Sequence, residues 1–455
     1  MRLRLARHLL AQIVCLGSHS ITSLLSSSGR LQHDWTADYR MYSRQRVPPG
    51  ALFAAVRQQL LDALPCPTQP ALAALDDTHI RKSGRKVSGA KYRRDPLGPP
   101  FQVNLIWAQR FLQLSLATGE DAHARMVPIG WRHAPTPPKP KTGASPEQLA
   151  RYQADCRDQS LGLLAASELA QLRSWMDDHG HAQRPLWTVV DGGYTNQSLL
   201  RNLPPRTVLI GRIRADAKLF HLPSETAPAG KPTGRPRLYG DPAPTPEHLR
   251  TDDSVPWQQV EVWIGGERRQ VRVKTLGPLR WRAAGATHLL QLLVLAPLRY
   301  RVTPAGKYLY RSPAFLISTD PDASPQQIIQ RYIQRWDIEN NFRDEKTLLG
   351  VGEAQVRDQH SVQNVTATAV AAYAMLLAAG RNLDPARDFT LPKPRWRRKH
   401  RNRATTTQLI QQMRLELWGH AMTFSGFASK PLPERSPENE LSNPFHAVMH
   451  ASRFA

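Results

Sequence analysis

The sequence predicts an α/β protein preceded by a helical segment. Two short apolar runs each end in acids: residues 71–75 before Asp76-Asp77, and residues 186–190 before Asp191. A stretch of helical composition (147–177) lies between them. A second and stronger helical region (325–381) follows a long β-rich stretch. Strands ending at polar edges and alternating with helices describe an α/β layer. The chain has 455 residues, room for two to four domains at roughly 100–200 residues each.

Residues 1–68 read as short helices. Leu5, Leu9 and Ile13 recur at helical spacing, Leu16-Gly17-Ser18 breaks the run, and Ile21, Leu24 and Leu25 begin another. Two helices around a tight glycine turn are either a helix-turn-helix reader of the major groove or a small bundle without DNA contact. Residues 69–213 hold the runs at 71–75 and 101–116, a Pro-rich break at 135–140, the helix, and strands at 186–190 and 207–213. Residues 214–312 have little helical periodicity and β-like runs at 260–264, 270–274, 289–295 and 308–311, which predicts a mainly β insertion. Residues 313–388 return to a core strand (315–318) and the long helix, apolar enough at 365–377 to be buried. Residues 389–455 are basic, then rich in Pro, Ser and Glu, the composition of a disordered tail.

Lys and Arg number 61 against 37 acids, a net charge of +24, so a polyanionic partner is expected. The cations are spread along the whole chain, not gathered on one amphipathic helix, which favours nucleic acid over a membrane surface. No stretch approaches the roughly 20 apolar residues of a membrane span. Arg2, Arg4 and Arg7 precede an apolar run, but Gln12 interrupts it and no clear small-residue cleavage site follows, so it departs from a signal peptide. Cys15, Cys66 and Cys156 are too few and scattered for a disulfide framework or a cysteine zinc site, and a cytoplasmic setting is expected. Gly230-Lys231 lacks the upstream glycine of a phosphate-binding loop, which argues against a nucleotide cofactor.

Three acids sit at informative places: Asp77 and Asp191 after predicted strands, and Glu339 on the later helix. Carboxylates so placed can hold two Mg²⁺ ions, with Mn²⁺ as a substitute. Such a pair stabilises the attacking and leaving oxygens of phosphoryl transfer. Tyr332, Arg335, Glu339 and Lys346 lie at offsets 0, 3, 7 and 14, within roughly 60° of one another around a helix. The stripe presents a phenol, a guanidinium, a carboxylate and an ammonium, a set suited to gripping phosphates beside a metal ligand. A solvated face of ion pairs has the same spacing.

Tyr332-x2-Arg335-x3-Glu339-x6-Lys346 resembles the YREK signature of bacterial insertion-sequence transposases of the DDE class. The stretches YIQRWDIENNFRDEKTLLGVGEAQVR, LDDTHIRKSG and VVDGGYTNQSLL are similar to that family as well. The resemblance runs from about residue 71 to 377. It implies an RNase H-like mixed sheet flanked by helices, interrupted by a β insertion and preceded by a helical DNA-binding domain. By the same resemblance Asp77, Asp191 and Glu339 bind the metals, and Asp77 is taken over its rival Asp76 because the family's acid is followed by Thr, here Thr78. Tyr332, Arg335 and Lys346 would contact phosphates of the transposon end. The implied partners are double-stranded DNA, as terminal inverted repeats and target, and a second copy in a paired-end homodimer; the implied setting is the bacterial nucleoid. A related nuclease or recombinase without integration, or a remnant that binds DNA without cutting it, are the alternatives. Phe315 stands where some relatives carry a Trp that stacks a flipped base.

The loop after the first acids adds Arg81, Lys82, Arg85 and Lys86 as candidate phosphate contacts. Gly234-Arg235-Pro236-Arg237 resembles an AT-hook core, so Arg235 and Arg237 are candidates for gripping DNA without base specificity. The run 395–401 interleaves Trp396 with cations and fits either a phosphate backbone or a basic tail.

Overall fold

The fold is that of a computed structural model, which describes residues 1–44, 46–95, 98–99, 101–119, 123–223, 237–285, 288–301, 306–383, 388–389 and 403–418. Five short helices open the chain: α1 (Arg2–Val14), α2 (Ile21–Ser27), α3 (Thr36–Ser43), α4 (Pro49–Leu52) and α5 (Ala54–Asp62). The predicted break at Leu16-Gly17-Ser18 separates α1 from α2, and the Ser20 hydroxyl accepts the Ser23 amide to cap α2.

Four strands follow: β1 (Ala71–Arg81), β2 (Lys91–Arg94), β3 (Leu105–Thr118) and β4 (Arg125–His133). The predicted helix at 147–177 is in fact two, α6 (Pro146–Asp158) and α7 (Leu161–Asp178), because Ser160 takes extended backbone angles and starts a new helix. Then come β5 (Leu186–Val190), α8 (Gln197–Arg201) and β6 (Thr207–Arg212). Strands β1, β5 and β6 are parallel, and β3 lies antiparallel between β1 and β4. The order β4-β3-β1-β5-β6 is the RNase H-like core.

The β-rich stretch does not form a separate layer. It contributes β7 (Leu219–Phe220), α9 (Pro246–Thr251), β8 (Gln258–Ile264), β9 (Glu267–Trp281), β10 (Leu290–Leu295) and a small ribbon of β11 (Arg299–Tyr300) and β12 (Leu309–Tyr310). The return strand β13 (Ala314–Ser318) pairs antiparallel with β6, β10 pairs with β13, and β9 with β10, so one sheet of eleven strands runs through core and insertion. Physically, β10 is an almost unbroken apolar run, LQLLVL, and such a strand needs neighbours on both sides and cover on both faces.

The long helical region divides into α10 (Pro325–Gln334), α11 (Trp336–Thr347) and α12 (Gln359–Ala379). A capping box of Ser324 and Gln327 starts α10, and Asp358 caps α12. Helix α12 is long and apolar enough to cross a membrane, which corrects the expectation that no stretch reaches that length; 83% of its apolar window is buried inside the protein. It packs on β4, and helices α1, α3, α4 and α5 pack on it in turn; α1, α4 and α5 share the main core, while Ile21 of α2 and Met41 and Tyr42 of α3 close a smaller cluster with Ala354 and Val365.

The predicted tail is also corrected in part. Residues 403–418 carry a helix, α13 (Thr406–Trp418), that packs on α1 and α12. The run 395–401 lies outside the described residues.

Candidate active site

Parallel pairing of β1 with β5 ends at Leu75 opposite Val190. The next residues, Asp76 and Asp191, therefore leave neighbouring strands at one level, at the carboxyl edge of the parallel strands. Side chains alternate along a strand. In β1, Asp76, Thr78 and Ile80 face α10–α11 and the turn behind them, whereas Asp77 and His79 take the opposite face. Hydrogen bonds fix this assignment. Arg335 Nη1 lies 3.0 Å from Asp76 Oδ2, and Lys346 Nζ donates to Thr78 Oγ1 at 2.6 Å. Asp77 instead accepts the Tyr194 hydroxyl at 2.6 Å and lies 4.0 Å from His79 Nε2. The resemblance points to Asp77 as the metal ligand, but the acid that faces α11 and Arg335 is its rival Asp76, because the register with β5 and the seat of α11 on β1 turn the even-numbered face that way.

Ile338 and Phe342 anchor α11 in the core, which leaves Glu339 on the flank of the helix, 38% exposed. Arg335 joins the two acids: its Nη2 is 3.0 Å from Glu339 Oε1 while its Nη1 holds Asp76. Arg335 is also the junction of α10 and α11, and its right-handed helical angles (φ −51°, ψ −35°) carry the helical course across. Tyr332 is partly buried, with its ring 5.8 Å from the Arg335 guanidinium, and burial raises its pKa. Burial likewise lowers the pKa of Lys346. Trp336, beside Arg335, is 60% exposed.

Asp191 is set by its own turn. Its Oδ1 accepts the amides of Gly193 (2.9 Å) and Tyr194 (3.3 Å), and its carbonyl accepts the Thr195 hydroxyl. A side chain at Gly211 would meet Thr195 Oγ1 at 2.1 Å, so glycine on β6 is what lets this turn close. Beside it a cavity of about 1360 Å³ opens between β6, β9 and β13, lined by Gly192, Arg212, Phe220, Trp281 and Phe315.

The other candidate cations divide. Arg85 and Lys86 are exposed, and Arg81 is exposed but paired to Asp95 at 2.7 Å. Lys82 turns inward, against expectation: its Nζ donates to the carbonyls of Gly352 (2.5 Å) and Ala354 (3.4 Å), and burial lowers its pKa to about 8. Arg237 is exposed, and Arg235 lies outside the described residues. Tyr194 was not singled out from the sequence, although it belongs to the VVDGGYT stretch. Arg403, whose guanidinium holds Asp337 two residues before Glu339 (2.7 and 3.0 Å), gave no local signal at all.

Among the described residues no three acids, histidines or cysteines converge as a formed metal site. The charge balance nevertheless suits a cation. Burial first, and then the Asp191 carboxylate, push the Asp76 pKa up to about 7; Arg335 and the Asp77 amide pull it back, and the Asp77 charge adds to the rise. Around Asp76 the negative charge exceeds what Arg335 offsets, and a hard divalent cation meets that need with the oxygen ligands it prefers.

A family model described as DDE superfamily endonuclease matches residues 1–285. The chain belongs to this family. A DDE endonuclease acts on DNA, and members of the family generally depend on a divalent metal. The matched span takes in Asp76, Asp77 and Asp191 and ends before Glu339. A comparison with curated proteins finds no match.

Proposed function

We propose that this DDE endonuclease is an insertion-sequence transposase. It binds the ends of its element, hydrolyses a phosphodiester bond there, and joins the freed 3′-OH to target DNA. One observation carries the reading: Asp76 and Asp191 stand level at the ends of adjacent parallel strands, and Arg335 ties Glu339 to Asp76. These three acids would hold the two divalent ions, Mg²⁺ or Mn²⁺. Bound there, the ions would lower the pKa of the attacking oxygen and stabilise the charge on the leaving one.

The chain's own side chains do the remaining work. Arg335 offsets Asp76 and Glu339 in this structure; with that charge met by cations, its planar fork is available to take a phosphate. Lys346, held on Thr78, supplies a point charge further along the same stripe, and the Tyr332 hydroxyl adds a donor. A dimer would bring two ends together.

Glu339→Gln is expected to keep end binding and lose Mg²⁺-dependent nicking; undiminished nicking would remove Glu339 from the mechanism. The absence of a formed three-ligand cluster among the described residues favours a second reading, a remnant that binds DNA without cutting it. Wild-type chain that binds element ends but nicks neither strand at any Mg²⁺ or Mn²⁺ concentration would establish that reading instead.

A further inference from the structure

Among the described residues, strands β11 and β12 pair only with each other. Their ribbon interrupts the connection between β10 and β13, and its composition is one-sided. From residue 289 to 319 the chain has no Asp or Glu, yet the described part of the ribbon carries Arg299, Arg301, Lys307 and Arg311. Three tyrosines alternate with them. The Arg301 guanidinium lies 3.7 Å and that of Arg299 4.4 Å from the centre of the Tyr308 ring, and Arg311 lies 5.5 Å from that of Tyr300. Leu309 and Tyr310 are 43% and 67% exposed.

Stability does not account for this surface. An isolated two-stranded hairpin is marginal in water, and this one leaves apolar side chains exposed and like charges crowded. Stacking on rings holds the Arg299 and Arg311 guanidinium planes in place, and a stacked guanidinium keeps its N–H edges for an anion.

The position is equally directed. Asp191 follows Val190, which pairs with Gly211, and the next residue of β6, Arg212, pairs with Leu316; Leu316 therefore lies level with Asp191. Strand β13 begins at Ala314, about 7 Å further out. Leu295 of β10 pairs with Ala314, and the Arg311 amide bonds the Leu298 carbonyl at 2.9 Å. Both legs of the ribbon thus leave the same sheet edge that carries Asp76 and Asp191.

We propose that this ribbon is a second DNA contact, lying against the duplex where it runs out of the acidic site. Its arginines and Lys307 meet phosphates, and the outward Tyr310 packs on sugar and base edges; a two-stranded ribbon is narrow enough to enter a major groove. The inference rests on the reading of the site as DNA-cutting, and it is tested without cutting.

The full chain is titrated with a duplex of arbitrary sequence, free of divalent metal, over a series of salt concentrations. Each phosphate that a cation no longer neutralises reduces the steepness of log affinity against log salt by about 0.9. Arg299→Ala/Lys307→Ala/Arg311→Ala should therefore reduce it by nearly 3 and weaken binding at least tenfold at roughly physiological salt. Tyr310→Ala should weaken binding several-fold with the slope unchanged, and Arg299→Lys/Arg311→Lys should keep the slope, which separates removal of charge from damage to the fold. A triple variant with wild-type slope and affinity overturns the proposal. If wild-type chain nicks DNA while the triple variant's slope stays put, the ribbon fails and the endonuclease reading stands. A shallower slope in a protein that never nicks supports the ribbon and sinks the transposase.

Discussion

Replacing Asp76 by Asn gives a sharp test, because it separates two adjacent acids by both stability and activity. Asp76 is 15% exposed and its pKa is raised from 3.8 to about 7. The folded state therefore holds a proton that the unfolded state releases near pH 4. The stability this confers is fully present below pH 3.8 and is lost as the pH rises through 7. Asn keeps the shape without the charge. The stability of Asp76→Asn minus that of wild type should be flat below about pH 4, grow by about 1.4 kcal/mol per pH unit, and level off near pH 7 at about 4 kcal/mol as an upper bound. Taking the difference cancels the other titrating groups, such as His133, whose pKa burial and Arg93 lower to about 4 and which acts in the opposite direction. For a chain of this size roughly 1 °C accompanies each kcal/mol, so the melting temperature at pH 8 should rise by up to about 4 °C without divalent metal. Added Mg²⁺ should raise the melting temperature of wild type more than that of the variant. Nicking should be lost in Asp76→Asn, whereas Asp77→Asn, which weakens the hydrogen bond from Tyr194 and removes a charge beside Asp76 and His79, should stay within about tenfold of wild type. Thermal melts across pH and a plasmid-nicking assay measure both. An Asp77→Asn chain that cannot nick, beside an Asp76→Asn chain that can, would refute the assignment of faces on β1.

Three further outcomes follow from named side chains. Glu345 is 1% exposed and burial pushes its pKa up to about 8; the Gln113 amide, oriented to donate, is 2.8 Å from its Oε1. Glu345→Gln should therefore gain stability over wild type as the pH rises from about 4.5 to 8, by about 1.4 kcal/mol per unit, and a flat difference between the melts would contradict this. Arg403→Ala removes both hydrogen bonds to Asp337 and leaves a largely buried carboxylate behind, at a cost of about 1–3 kcal/mol; the swapped pair Asp337→Arg/Arg403→Asp should recover part of it in urea melts. Gly352 has φ +97°, and a Cβ there would stand 2.2 Å from Ile80 Cγ2 at the end of β1. Gly352→Ala should cost about 1–3 kcal/mol in the same melts, and a neutral result would mean that the turn is free to move away from the strand.

How far the sequence could be read depended on the range of each signal. Strands β5 and β13 and the helical region beginning at Pro325 were visible because apolar runs and helical periodicity are written in neighbouring residues. The division of 147–177 into α6 and α7 was missed because Ser160 fits a helix interior by composition and departs from it only in backbone angles. The long cationic loop suggested four phosphate contacts, but Lys82 faces inward because a carbonyl pair from the turn after α11 waits for it. The Arg403–Asp337 pair lay beyond reading, since nothing near either residue announces the other.

By itself the sequence determined the α/β class, the cationic character, the acids at strand ends and the helical spacing of Tyr332, Arg335, Glu339 and Lys346. These depend on periodicity and charge over a few residues. Only the tertiary structure decided that Asp76 faces Glu339, that the β-rich stretch widens the core sheet, and that the N-terminal helices clasp α12. Two neighbouring acids on a strand differ only in the face they take. That face is set by pairing with β5 and by Arg335, 259 residues downstream, which no local pattern encodes.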